Sequence, residues 1–87
     1  MDVEKEVKVD VRFFGRCQEL VGKDELKTEV GPGATVGSLC LQLAKDYPDL
    51  EDDFHTLMVA INAQQCDWEC TLSEGDRVDF ISTLGGG

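Results

Sequence analysis

The last four residues, Leu84-Gly85-Gly86-Gly87, hold the most reactive arrangement in this sequence, a free carboxylate behind three residues without side chains. Consecutive glycines add nothing to fold stability, because glycine loses the most backbone freedom on ordering. They do allow a segment to thread a narrow tunnel. The stretch 82–87 spans about 20 Å when extended, enough to carry its carboxylate into the active site of another protein. A carboxylate is a poor electrophile. Adenylation would convert it to a mixed anhydride open to attack by sulfur or by an amine. The plain alternative is a frayed terminus, since chain ends are commonly poorly ordered.

The remaining candidates are cysteines and one histidine. Cys66-Asp67-Trp68-Glu69-Cys70 places two thiols four positions apart. A structural zinc site takes four ligands, commonly with tighter pairs. His55 could serve as a third, but no fourth is in view, so no metal is expected. One thiol of the pair is expected to pack inward and the other to stay free. Cys40 lies on an apolar helix face and reads as a small hydrophobe. Cys17 has no activating base near it in sequence, so nucleophilic catalysis by this chain alone is not expected. His55 and the acidic runs Glu51-Asp52-Asp53 and Asp24-Glu25 read as solvated surface, with a basic partner groove as the sharper alternative.

These groups need a scaffold. Val7, Val9, Val11 and Phe13 alternate with Lys8, Asp10, Arg12 and Phe14, the period of a strand with one face on a core. Gly15 ends it, and Arg16 to Gly22 reads as a short helical turn or loop. Glu25 to Val30 alternates again and should pair with the first strand. After the breaker Gly31-Pro32-Gly33, Thr35 is a good N-cap. Val36, Leu39, Cys40, Leu43 and Tyr47 then recur at helical spacing until Pro48 stops the helix. Asp49 to Thr56 reads as irregular, with one turn around Leu50 and Phe54. Leu57 to Ile61 is a third strand, Asn62 to Gln65 a turn, Cys66 to Cys70 a short edge strand, Ser73 to Asp76 a turn and Arg77 to Ile81 the last strand. Two hairpins flanking one helix make an α+β domain of the ubiquitin-like β-grasp kind, a mixed sheet of four to five strands with the helix across one face. Residues 1–87 form one domain, with a core over 7–81 and a flexible tail over 82–87.

Strand phase also marks a surface. If Val9, Val11 and Phe13 face the helix, Phe14 faces away. Val78 and Phe80 face in, so Ile81 faces out, and Met58 lies on the outer side of the third strand. In a β-grasp sheet the first and last strands are neighbours, so Phe14 and Ile81 form an apolar patch at the tail's root, with Met58 extending it. Such a patch on a small protein suggests a partner-binding site. The alternative is a minor second core under the loop from Arg16 to Gly22.

Bulk properties narrow the partners. The 87 residues carry a net charge of −10, from 18 acidic and 8 basic side chains, and are 41% hydrophobic. One domain of this size leaves little room for a deep cleft. The negative surface repels phosphate backbones, so nucleic acid is not an expected partner, and a basic protein surface is. The charged start Met1-Asp2-Val3-Glu4-Lys5-Glu6 lacks the apolar core of a signal peptide, and no apolar run reaches a membrane span. A cytoplasmic protein with four reduced cysteines and no membrane contact is expected.

Val11-Arg12-Phe13-Phe14-Gly15 followed by Glu19-Leu20-Val21-Gly22 resembles the opening of the small subunit of molybdopterin synthase, the MoaD family within the MoaD/ThiS ubiquitin-like sulfur carriers. Ala34-Thr35-Val36-Gly37-Ser38-Leu39, running to Tyr47-Pro48, is similar to that family's helix. Val59-Ala60-Ile61-Asn62 and Leu72-Ser73-Glu74-Gly75-Asp76-Arg77-Val78 are similar to its third and fifth strands, and the chain stops at Gly86-Gly87. The resemblance covers Val7 to Gly87. Ser82-Thr83 stand where the family usually has two prolines, which should make the tail floppier. Asn62-Ala63 stands where it often has Asn-Gly.

The resemblance implies a sulfur carrier of molybdenum cofactor biosynthesis. A ubiquitin-activator-like adenylyltransferase would use ATP on Gly87, and a sulfurtransferase or other persulfide donor would convert it to a thiocarboxylate. The tail, Leu84 to Gly87, would enter the large synthase subunit, which supplies the catalytic groups in an expected heterotetramer. Sulfur would pass to the pterin precursor. The carrier itself binds no cofactor and is not an enzyme on its own. The same tail would serve tRNA thiolation, thiamin synthesis or a ubiquitin-like modifier joined to lysines through Gly87. Thiamin carriers tend to be shorter and lack the Phe13-Phe14-Gly15 opening.

Overall fold

Alternation builds the sheet. In a computed structural model, which describes residues 6–54 and 57–82, strand β1 (Val7–Phe14) buries Val9, Val11 and Phe13. Gly15 breaks the strand, and a short helix α1 (Arg16–Val21) follows, ended by Gly22 in the left-handed conformation. Strand β2 (Glu25–Val30) returns antiparallel to β1, with Val11 opposite Leu26 and Val7 opposite Val30.

Helix α2 (Val36–Asp46) starts where Thr35 Oγ1 accepts the Ser38 N–H at 3.3 Å, satisfying one of the donors a helix start leaves open. Its apolar stripe buries Val36, Leu39, Cys40 and Leu43. Full burial of each leucine contributes about 1.5–3 kcal/mol. Tyr47, before Pro48, leaves helical dihedrals with φ −132° and ends the helix. A turn of helix, α3 (Leu50–Asp53), buries Leu50 beneath it.

The remaining strands are β3 (Leu57–Ile61), β4 (Gln64–Cys66) and β5 (Arg77–Ser82). The sheet order is β2-β1-β5-β3-β4. β5 lies in the middle, parallel to β1 and antiparallel to β3. This is the expected mixed β-grasp sheet with one main helix across one face. On the covered face Phe13 and Phe80 stack with ring centroids 6.0 Å apart.

Two boundaries differ from the sequence reading. The turn after β3 is only Asn62-Ala63, with φ of 52° and 72°. The edge strand is therefore Gln64–Cys66 rather than Cys66 to Cys70. Ser82, assigned to the tail, belongs to β5 and sits opposite Leu57. Among the described residues no helix is long and apolar enough to cross a membrane.

Candidate functional site

Three outward side chains meet on the uncovered face. Phe14 neighbours Ile81 across β1 and β5, and Ile81 neighbours Met58 across β5 and β3. Phe14 and Met58 are each 40% exposed, with Ile81 half-buried between them. The segment from Arg16 to Gly22 makes no second core over this patch. Its Cys17 and Val21 turn into the main core instead.

One row further along the same face, Arg12 pairs with Asp79 in neighbouring register. Arg12 Nε donates to Asp79 Oδ1 at 2.9 Å and Nη2 donates to Oδ2 at 3.2 Å. This two-point fork fixes the guanidinium plane. The Arg12 Cζ atom lies 5.2 Å from the Phe14 ring centroid, within reach of a cation–π attraction. The hydrogen bonds to Asp79 also hold the Arg12 pKa above its usual value. Asp79 is the one charged residue in the buried class among those described, and Arg12 compensates it. The patch is thus an apolar strip with a fixed ion pair as its border.

The end of β5 is tied from several sides. Helix α1 has no side-chain cap from Gly15. Ser82 Oγ, from the other end of the chain, accepts the Cys17 N–H at 3.2 Å and supplies that cap. The single hydrogen of Cys17 Sγ is shared between Phe14 O at 3.0 Å and Phe80 O at 3.2 Å. A Cβ on Gly15 would stand 3.2 Å from Ser82 Cβ, and the Gly15 φ of +76° also favours glycine. A side-chain hydrogen bond and strand pairing hold Ser82 itself, while Thr83 and the tail, where the floppier set is expected, lie outside the described residues. Leu84, Gly85, Gly86 and Gly87 lie outside the described residues, as does His55.

Among the described residues no group of three or more His, Cys, Asp or Glu is placed to hold a metal. Cys40 is buried, and burial pushes its thiol up to about 12. Cys66 and Cys70 do not divide into one inward and one free thiol. Both are half-buried against the core edge, both are free, and the Cys70 Sγ–H donates to Asp67 Oδ1 at 3.8 Å. Interaction with the Cys70 thiol, with burial and nearby carboxylates, raises the Cys66 pKa.

Strand phase located Phe14, Ile81 and Met58 and the structure brings them together. It missed the Arg12–Asp79 pair, although the same parity places both residues on the outer face. The Ser82–Cys17 link had no local signal, since 65 positions separate its ends.

The sequence matches the model of the ThiS family over residues 11–87. It is similar to a molybdopterin synthase sulfur carrier subunit from Mycobacterium tuberculosis, with 34% identity over 82 residues, 93% of this chain and 99% of that one. It is 34% identical over 100 residues to a ubiquitin-related modifier 1 homolog from Chlamydomonas reinhardtii, covering 93% of this chain and 99% of the relative. In structure it resembles a molybdopterin converting factor subunit 1 from Pyrococcus furiosus, with a TM-score of 0.80, 28% identity and coverage of 90% and 99%.

Proposed function

The chain belongs to the ThiS family, and from that we propose that it is a sulfur carrier, the small subunit of a molybdopterin synthase, with Gly87 as the sulfur-bearing residue. One observation carries the reading. The family match runs through the terminal glycines to Gly87, and the mycobacterial sulfur carrier subunit aligns over nearly the whole of both chains.

Chemistry at the tail follows from the weakness of a carboxylate as an electrophile. A ubiquitin-activator-like adenylyltransferase joins the Gly87 carboxylate to AMP from ATP, releasing pyrophosphate. The terminal sulfur of a persulfide displaces AMP and forms an acyl disulfide. A second thiol of the donor cleaves that bond, which leaves a thiocarboxylate on Gly87 and a disulfide on the donor. In the large synthase subunit the sulfur passes to the pterin precursor, water hydrolyses the acyl link and Gly87 returns as a carboxylate. Each carrier delivers one sulfur, so two serve each dithiolene, in keeping with a heterotetramer of two small and two large subunits.

In this division of labour the carrier contributes binding and reach, and the large subunit contributes the catalytic groups. Phe14, Ile81 and Met58 form the docking patch beside β5, the strand that leads into Leu84 to Gly87. A rigid base matters because a tail directed by a fixed strand loses less entropy on entering a tunnel.

The intact mass of the protein purified from its own cells tests the reading. The expected species is heavier by the exchange of one oxygen for sulfur, and deletion of Gly87 abolishes it. The charged protein should convert pterin precursor when mixed with the large subunit. A protein found only as the carboxylate, together with diglycine-branched conjugates on lysines, would overturn the carrier reading in favour of a protein modifier.

A further inference from the structure

Cys66 and Cys70 take no part in the function proposed above. Their positions are nevertheless set by other elements. Cys66 ends β4 opposite Val59. Cys70 O accepts the Val36 N–H at 3.0 Å and Trp68 O accepts the Gly37 N–H at 2.9 Å, so the loop is bound to the start of α2. Within the loop, the Cys70 N–H donates to Asp67 O at 3.3 Å and the Glu69 N–H to Asp67 Oδ1 at 3.0 Å. This frame holds two free thiols beside one another, with the Cys70 Sγ–H donating to Asp67 Oδ1 at 3.8 Å. Both are half-exposed and border one open cleft with Gln64, Thr71 and Asp76. The other two cysteines contrast with them: Cys17 is 0% exposed and Cys40 4%.

We propose that Cys66 and Cys70 are a redox modification site that closes to an intramolecular disulfide by exchange with a low-molecular-weight disulfide. The thiolate of one cysteine attacks the small disulfide, which forms a mixed disulfide and releases one small thiol. The second cysteine attacks the protein sulfur of that mixed disulfide, forms the Cys66–Cys70 bond and releases the second small thiol. Two cysteine thiols are oxidised, one small disulfide is reduced to two thiols, and the cysteine protons end on the departing thiolates. A sulfur–sulfur bond measures about 2.05 Å, so closure requires the Cys70 thiol to turn from Asp67 Oδ1, where it donates at 3.8 Å, toward Cys66 across the cleft they share. The product staples the sheet edge at β4 to the loop bound to the start of α2.

The test uses the full chain and oxidised glutathione as the probe. After exposure, residual thiols are alkylated in denaturant and the intact mass is read. The wild type should lose two hydrogens, keep no glutathione and retain two alkylatable thiols, assigned by peptide mapping to Cys17 and Cys40. Cys66→Ser and Cys70→Ser should each retain one glutathione, because the resolving thiol is gone, and the double variant should not react. Oxidised wild type should melt roughly 4 °C or more above the reduced form, with no such shift in the double variant. Stable glutathione adducts on the wild type, or four alkylatable thiols after exposure, would overturn the proposal. None of these readouts depends on the tail carrying sulfur, so failure here and failure of the carrier reading are separate results.

Discussion

Phe13 and Phe14 are the same side chain on adjacent residues, and the sheet gives them opposite work. Phe13 is 1% exposed and stacks on Phe80 beneath α2. Phe14 is 40% exposed and lies beside Ile81 and Met58 on the bare face. The same contrast divides Phe80 from Ile81 one strand away. The covered face spends its apolar area on stability. The bare face keeps an apolar strip in water, with the Arg12–Asp79 pair beside it, which makes sense where a partner completes the burial. Type alone therefore does not separate the covered face from the bare one in this chain. Parity does.

Exchanging the two neighbours should break that contrast most sharply. Phe13→Ala should cost about 3–5 kcal/mol in chemical denaturation, the usual range for emptying a buried phenylalanine site. Phe14→Asp should leave stability within about 0.5 kcal/mol yet abolish binding to the large synthase subunit in a pull-down or calorimetric titration. Unchanged affinity would remove the docking role from the outer face.

The covered face should also answer to alkaline pH. Burial lifts the Cys40 thiol from 9.0 to about 12, so the unfolded chain ionises there while the fold stays protonated. The stabilising effect is whole below about pH 9 and is lost as the pH rises toward 12, at up to about 1.4 kcal/mol per pH unit. Comparing Cys40→Ala with wild type at about pH 8 and about pH 10 should show the gap in stability narrowing at the higher pH.

Ser82 sits where both faces end. Ser82→Ala removes the cap on α1 and should cost about 1 kcal/mol, with faster exchange of the Cys17 amide proton. Ser82→Thr should restore the protection. The smallest effect lies in the turn between β3 and β4. Ala63 holds a φ of 72°, so Ala63→Gly should raise stability by about 0.5–1 kcal/mol and leave both faces unchanged.

That turn also shows where the sequence was hard to read. Its two-residue geometry is typical of Asn-Gly, and alanine at the second position disguised it. The edge strand was accordingly placed two residues late. The main helix was legible because its apolar stripe, Thr35 cap and Pro48 stop agree. The patch was legible because a strand's period of two leaves no choice about which side Phe14 and Ile81 occupy. The clamp on Ser82 and the shared cleft of Cys66 and Cys70 were not, because each depends on how separate backbone segments meet.

The central place of β5 has a consequence for synthesis. A nascent chain that has made everything up to β4 owns two hairpins and a helix but no strand to join them, since β1 and β3 meet only through β5. Pairings between the first strand and the last are the slow, non-local kind. A chain cut short before β5 could assemble neither the joined sheet nor the patch. Messages broken before that strand would then yield unjoined products open to degradation rather than decoys competing for a binding partner.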